Sequence, residues 1–347
     1  MIVRIFIFIA LLIIFPSFEK LSAAESSYEP SLIILQQEND SEALIKIDGV
    51  LDEKIWEKQD VIDDFLVIDP DTLQDPPYQT ELRMFYTRRG LYVGVRNQMP
   101  IDERVKRLSN RDSEIDRDGF SFSIDPTGRG LFGYEFAVNL GGSIADASIL
   151  PERKVSLDWD GAWWSATSES QDAWFAELLL PWTLFSMPEK KEKRKISVFV
   201  ERNLGVRQQS LGWPPLLSTQ PKFLSNFQPV QVENINPKKH VTWYPFLSST
   251  NDLRDNDDQY KAGVDIYWRP QSETLISATL NPDFGQVETD KAILNFSAFE
   301  TFFEEKRDFF VEGQEIFNTG KLQLVNTRRI GGAVSRSLVK TDSGEIV

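Results

Sequence analysis

The chain has 347 residues, 41% hydrophobic and 26% charged, with 53 acidic side chains against 38 basic ones. That composition is globular and excludes disorder along the whole length, and the net charge of −15 opposes partnership with nucleic acid, whose phosphates it would repel. The absence of cysteine and the single histidine, His240, exclude disulfides, thiolate metal sites and cysteine nucleophiles, and leave most catalytic triads without a base.

Met1–Ala24 has the layout of a secretory signal: Arg4 in the leading region, the apolar run Ile5–Phe15, then Ser22 and Ala24 as the small residues before a cut. The run is shorter than the roughly 20 residues that a spanning helix needs. Residues 25–42 are polar and read as an irregular lead-in. From 43 to 232 the apolar residues recur mostly every second position, the period of a strand. Leu82, Met84 and Tyr86 form one such set, and Leu91, Val93 and Val95 another. Phe120, Phe122 and Ile124 alternate with Ser121 and Ser123; Tyr134, Phe136 and Val138 follow, then Trp174–Leu180 and Ile196–Val200. Turn residues punctuate them at Asp69-Pro70-Asp71, Asp125-Pro126-Thr127-Gly128 and Gly141-Gly142. Short strands with one apolar face predict an antiparallel β-sandwich. The charge-dense Glu189–Lys195 reads as a solvated hairpin tip.

Within this domain, Asp158-Trp159-Asp160-Gly161-Ala162-Trp163-Trp164 gathers three indoles and two carboxylates. Indole faces stack on the apolar faces of sugar rings and carboxylates take hydroxyls; the competing reading buries these rings in the core or over a sheet edge. Arg111, Asp112, Glu114, Asp116, Arg117 and Asp118 form a mixed charge run that either rims a binding face or ties up in ion pairs. Trp56, beside a turn, reads as a core plug. Residues 233–239 read as a linker. Beyond it, Val241, Trp243, Pro245 and Leu247, then Ala262, Val264, Ile266 and Trp268, then Ile276, Ala278 and Leu280 alternate with small or polar residues. Strands of about ten residues with one apolar face and aromatics near their ends fit the wall of a transmembrane barrel, and equally a second soluble sheet. Roughly 107 residues hold about four or five such strands, where the smallest barrels need about eight, so this part is expected to be the opening of a longer barrel. The Phe302–Phe310 segment, with Glu304, Glu305, Lys306, Arg307 and Asp308 between pairs of phenylalanines, reads as structural, because neighbouring carboxylates do not face one another across a cleft as glycoside hydrolysis requires.

Two stretches resemble known families. Ile47-Asp48-Gly49-Val50-Leu51-Asp52-Glu53-Lys54-Ile55-Trp56, then Leu91–Val95 and Asp118–Asp125, resemble the family 9 carbohydrate-binding module, a β-sandwich. Leu280-Asn281-Pro282-Asp283-Phe284-Gly285-Gln286-Val287-Glu288, Phe299–Gly313 and Asn326–Gly331 resemble an uncharacterised bacterial outer-membrane barrel family of the DUF5916 kind. The resemblance implies a non-catalytic envelope protein, exported and held at the outer membrane, that binds a polysaccharide or oligosaccharide through its sandwich. The alternatives are an accessory part of a glycoside hydrolase in carbohydrate catabolism, and a structural or transport barrel that binds no sugar. Trp159, Asp160, Trp163, Trp164, Arg111, Arg117 and Trp213 are the candidate ligand-binding residues; no residue reads as catalytic or metal-ligating and no cofactor is expected, the structural calcium often held by the module family being the one alternative, with no loop of regular ligand spacing for it. The sequence departs from the module at Ile115, where a stacking tryptophan is expected, and near Gln220, where Trp213 is the nearest indole.

Overall fold

The structure, a computed structural model, describes residues 30–39, 45–113, 117–157, 159–187, 192–235, 240–252, 257–271 and 274–281. Its regular secondary structure is nearly all strand. In chain order they are β1 (Ile33–Ile34), β2 (Leu66–Asp69), β3 (Thr80–Tyr86), β4 (Gly90–Gln98), β5 (Gly119–Asp125), β6 (Gly133–Asn139), β7 (Ile144–Leu150) and β8 (Lys154–Ser156). There follow β9 (Trp164–Glu169), β10 (Ala173–Pro181), β11 (Lys193–Leu204), β12 (Gln209–Trp213) and β13 (Gln228–Glu233), then β14 (His240–Asp252), β15 (Asp257–Gln271) and β16 (Thr274–Leu280). A single helical turn, α1 (Lys54–Glu57), lies between β1 and β2.

A nine-stranded sheet runs β1-β13-β11-β5-β6-β7-β8, with β12 joining β11 to β2, and a four-stranded sheet runs β3-β4-β10-β9. Period-two alternation explains why they stack. Leu82, Met84, Leu91, Val93, Val95, Trp174, Ala176 and Leu178 from the smaller sheet meet Phe120, Phe122, Ile124, Phe136, Val138, Ile196, Val198 and Val200 from the larger one in a single core. The antiparallel sandwich is therefore the fold that the alternation predicts. Among the described residues, the buried residues of its cores run from Leu35 to Ile235.

Arg202 crosses this core. It is fully buried and donates from Nη1 to the Gln79 carbonyl (2.9 Å) and Thr80 Oγ1 (2.9 Å), and from Nη2 to the Gln98 carbonyl (2.7 Å), tying β11 to the opposite sheet. Burial is the main cause that lowers its pKa, to about 9. On the outer side of the small sheet, Trp56 of α1 packs edge-on against Phe85 at 4.9 Å and joins Ile55, Tyr92 and Leu179. The ring is buried as the sequence suggested, but on the outer side of the small sheet and not in the core between the sheets.

Two local readings change. The lead-in is not wholly irregular: Ile33–Ile34 pairs in parallel with β13 and Leu35 reaches the core. The charge run near residue 190 is not all solvated tip. Lys193–Lys195 belong to β11, and Arg194, two residues before inward-facing Ile196, is buried and donates to the Ile235 carbonyl at 3.3 Å. Residues 188–191 lie outside the described residues.

The third sheet is the antiparallel meander β14-β15-β16. Its strands fall where the sequence places them. Cross-strand partners share a face, so Val241, Trp243, Pro245 and Leu247 lie with Trp268, Ile266, Val264, Ala262 and Tyr260, and with Ile276, Ala278 and Leu280. The other face carries Thr242, Tyr244, Phe246 and Ser248 with Tyr267, Asp265, Gly263 and Lys261. Among the described residues no helix is long and apolar enough to cross a membrane, which leaves β-barrels aside. The signal segment 1–24 and the Phe302–Phe310 and Asn326–Gly331 motifs lie outside the described residues.

Candidate carbohydrate-binding face

The residues singled out in the sequence do not converge on one surface. Trp159 turns inward, 4.6 Å from Tyr134 and 5.7 Å from Phe136, and Trp163 lies 5.3 Å from Phe136 in the core. Trp213 ends β12 opposite Val200 and is buried. Trp164 alone of the four is exposed, at 48%. It stands opposite Leu179, hence on the outer side of the small sheet, with the Arg89 guanidinium 5.1 Å over its ring. Trp159 and Trp163 close the edge of the sandwich, while Trp164 points elsewhere. Asp158 and Ile115 lie outside the described residues.

The charge run forms an internal network. Asp146, fully buried, accepts Arg111 Nε (3.0 Å) and the Gly161 amide (2.6 Å), and Arg111 Nη2 reaches Asp160 at 2.8 Å. Asp112 accepts the Asp146 amide at 3.0 Å. Burial raises the pKa of all three carboxyls. Asp112, Asp146 and Asp160 bring carboxylate oxygens within 4.8 Å of one another. The trio does not fit calcium: the Arg111 guanidinium already pairs with all three carboxylates and supplies the positive charge there. Arg117 donates to the Ser109 hydroxyl and to the Ser113 carbonyl (3.0 Å), so it fixes its own loop. Asp118, fully buried, accepts the Val105 (2.6 Å) and Gly205 (3.0 Å) amides. This run is thus a partly buried brace, which the solvated-network reading did not anticipate.

A different surface has the makings of a binding face. On the outer side of the nine-stranded sheet, Glu135 stands opposite Ser123 and Ala147, and Ser123 opposite Phe199. The next row is Ala145, Ala137, Ser121, Glu201 and Gly212; the one beyond holds Asn139, Gly119, Asn203 and Ser210. Small side chains floor this area, and two carboxylates rise from it. Glu135, Ala137, Glu201, Asn203 and Ser210 are partly exposed. At one end the floor meets a wall: Phe223 lies 4.9 Å from Phe199, and Phe227 and Leu224 pack beside them. Arg153 stacks on Phe223 at 4.4 Å and spends its guanidinium on the Gln220 (2.7 Å) and Leu217 (2.5 Å) carbonyls, holding the wall in place. Glu152 adds a bond from the Phe223 amide at 2.7 Å.

The electrostatics of this trough follow from crowding. Burial, followed by the negative charge of Glu201, pushes the Glu135 carboxyl up to about 7. Burial also raises Glu201, with Asp69 adding to it and Ser210 and Arg153 opposing. Ser210 Oγ donates to Asn203 Oδ1 at 2.7 Å. The Ser123 hydroxyl bonds the Glu135 carboxyl and opposes its rise, whereas Asn139 Nδ2 is buried without a hydrogen bond. Such a face can take hydroxyl donors on its carboxylates and let a flat ring approach the small floor. The signal was present in the sequence: the positions between the core residues of β5, β6 and β11 carry Ser, Ala, Asn and Glu, and no large apolar residue except Phe199.

Comparison with known proteins adds a family and a set of folds. Residues 237–347 match the family described as a domain of unknown function, DUF5916. No curated protein matches the chain. Among solved structures, a family 9 carbohydrate-binding module from Caldicellulosiruptor kristjanssonii in complex with cellotriose aligns at 13% identity and TM-score 0.41, covering 60% of this chain and 100% of its own. The same organism's module in complex with glucose aligns at 14% identity and TM-score 0.40, covering 58% and 100%. A protein from Bacteroides uniformis, described as a candidate carbohydrate-binding protein, aligns at 13% identity and TM-score 0.46, covering 58% and 99%.

Proposed function

We propose that this protein binds carbohydrate, without catalysis, on the trough of its nine-stranded sheet. The observation that carries the reading is the floor of Ala145, Ala137, Ser121 and Gly119 with Glu135 and Glu201 rising from it. Sugar hydroxyls donate well to carboxylates, and each such charge-assisted bond is worth about 1.5–3 kcal/mol. Small floor residues leave the ring room, and the phenylalanine wall offers its apolar face a contact. The two carboxylates rise from the same side of one sheet, not from opposing walls, which disfavours a hydrolase pair. The test is calorimetric titration of the whole protein with soluble oligosaccharides. Ala137→Trp, which fills the middle of the trough, is expected to abolish binding at unchanged melting temperature; retained affinity would refute the assignment.

The proposal extends to location. The apolar face of β14–β16 leaves Trp243, Leu247, Tyr260, Trp268, Ile276 and Leu280 exposed, while the opposite face mixes the rings of Tyr244, Phe246 and Tyr267 with small and polar residues. From Trp268 to Tyr260 a strand runs about 27 Å, or about 20 Å once tilted by some 40°, near the apolar height of an outer-membrane barrel. The meander is then a piece of barrel wall, and the sandwich stands on the periplasmic or outer surface of an exported protein. Recovery of the whole protein from membranes only with detergent is the expected result; a detergent-free soluble particle would contradict it.

A further inference from the structure

We infer that the trough selects glycans bearing free primary amines, such as glucosamine units, over neutral and N-acetylated ones. The inference rests on the carbohydrate reading and names its ligand class. Glu135 forms no ion pair among the described residues, and the cation nearest Glu201, Arg153, has its guanidinium committed to two wall carbonyls. The charge of Glu201 adds to Glu135's cost of ionising, and Asp69 adds to that of Glu201. An ammonium set between them removes that repulsion and turns neutral hydrogen bonds into charge-assisted ones.

An orphan group argues for an organic ligand over a bare metal ion. Asn139, on the trough face, is 3% exposed and its Nδ2 is buried without a hydrogen bond, while the Ser123 hydroxyl is engaged with Glu135. Asn139 Nδ2 is a donor and needs an oxygen, which a metal ion does not supply. A ring carrying both an ammonium and hydroxyls meets both demands. The net charge of −15 draws such cations toward the protein.

The test titrates the whole protein with three hexamers: β-1,4-linked glucosamine, its fully N-acetylated form, and cellohexaose. At pH 7 the free-amine hexamer is expected to bind about tenfold tighter than the other two. At pH 5 Glu135 is protonated, so the preference shrinks although the ligand carries more charge; simple attraction to an acidic protein would give the opposite trend. Glu135→Gln is expected to bring the free-amine hexamer and cellohexaose within about twofold, with melting checked to confirm folding. Equal affinities for all three hexamers, abolished by Ala137→Trp, would overturn the amine inference and leave the carbohydrate reading standing. Binding to none of the three would end the amine inference, and a wider oligosaccharide panel at the same pH then decides the carbohydrate reading separately.

Discussion

Replacing Glu177 by Gln should flatten the dependence of stability on pH. Glu177 sits on β10 opposite Gly94 and Ala166, fully buried beneath the Asp48-Gly49 turn. Its Oε2 accepts the Asp48 (3.0 Å) and Gly49 (3.1 Å) amides, while Oε1 is buried without a partner. The turn cannot move away to admit water freely: Gly49 has φ +82°, and a Cβ there would stand 2.6 Å from the Thr167 carbonyl carbon. Burial dominates and pushes the carboxyl up to about 7; the two amides oppose it, and Glu53 and Asp48 add to it. An unfolded glutamate titrates near 4.3, so between about pH 4.5 and 7 the folded protein keeps a proton that the unfolded chain has released. Stability from this group is greatest below that window and falls as pH rises through it, by about 3 kcal/mol in all, most of it between pH 5 and 7. Glu135 contributes in the same direction. The glutamine keeps an acceptor for the turn and cannot ionise. Urea unfolding followed by tryptophan fluorescence at pH 5, 6, 7 and 8 should show the wild type losing about 2–3 kcal/mol more than Glu177→Gln. Parallel curves for the two proteins would refute the reasoning.

Arg202→Met removes three hydrogen bonds to Gln79, Thr80 and Gln98 and takes from Asp118 one of its two nearby cations, leaving Arg104. The expected loss is about 3–5 kcal/mol, seen as a melting temperature lower by roughly 6–20 °C. Trp164→Ala removes an exposed ring from the opposite sheet and should change stability by less than about 1 kcal/mol and oligosaccharide affinity not at all, as titration would show.

Much of the fold is legible in the sequence because sheet packing writes a period of two. Phe120-Phe122-Ile124 and Leu91-Val93-Val95 face the core as read, and Trp56 plugs the outer side of the small sheet. Where the reading failed, tertiary contacts decided. Ile33–Ile34 is too short for any periodicity to register and becomes a strand only because β13 offers an edge. Lys193-Arg194-Lys195 looks solvated by charge alone, yet Arg194 finds the Ile235 carbonyl. The site was harder. A tryptophan cluster attracts attention because indoles are rare, but Trp159 and Trp163 serve the core. The trough is written in what lies between the core residues: serines, alanines and glutamates spread over three strands, whose adjacency depends on the register of β11 against β5 and of β5 against β6.

Carboxyl footprinting by carbodiimide coupling and mass spectrometry, with and without bound oligosaccharide, distinguishes the two faces directly. Glu135 and Glu201 are expected to lose labelling when the ligand is present while Asp160 keeps it. Protection of Asp160, with Glu135 and Glu201 labelled as before, would contradict the account.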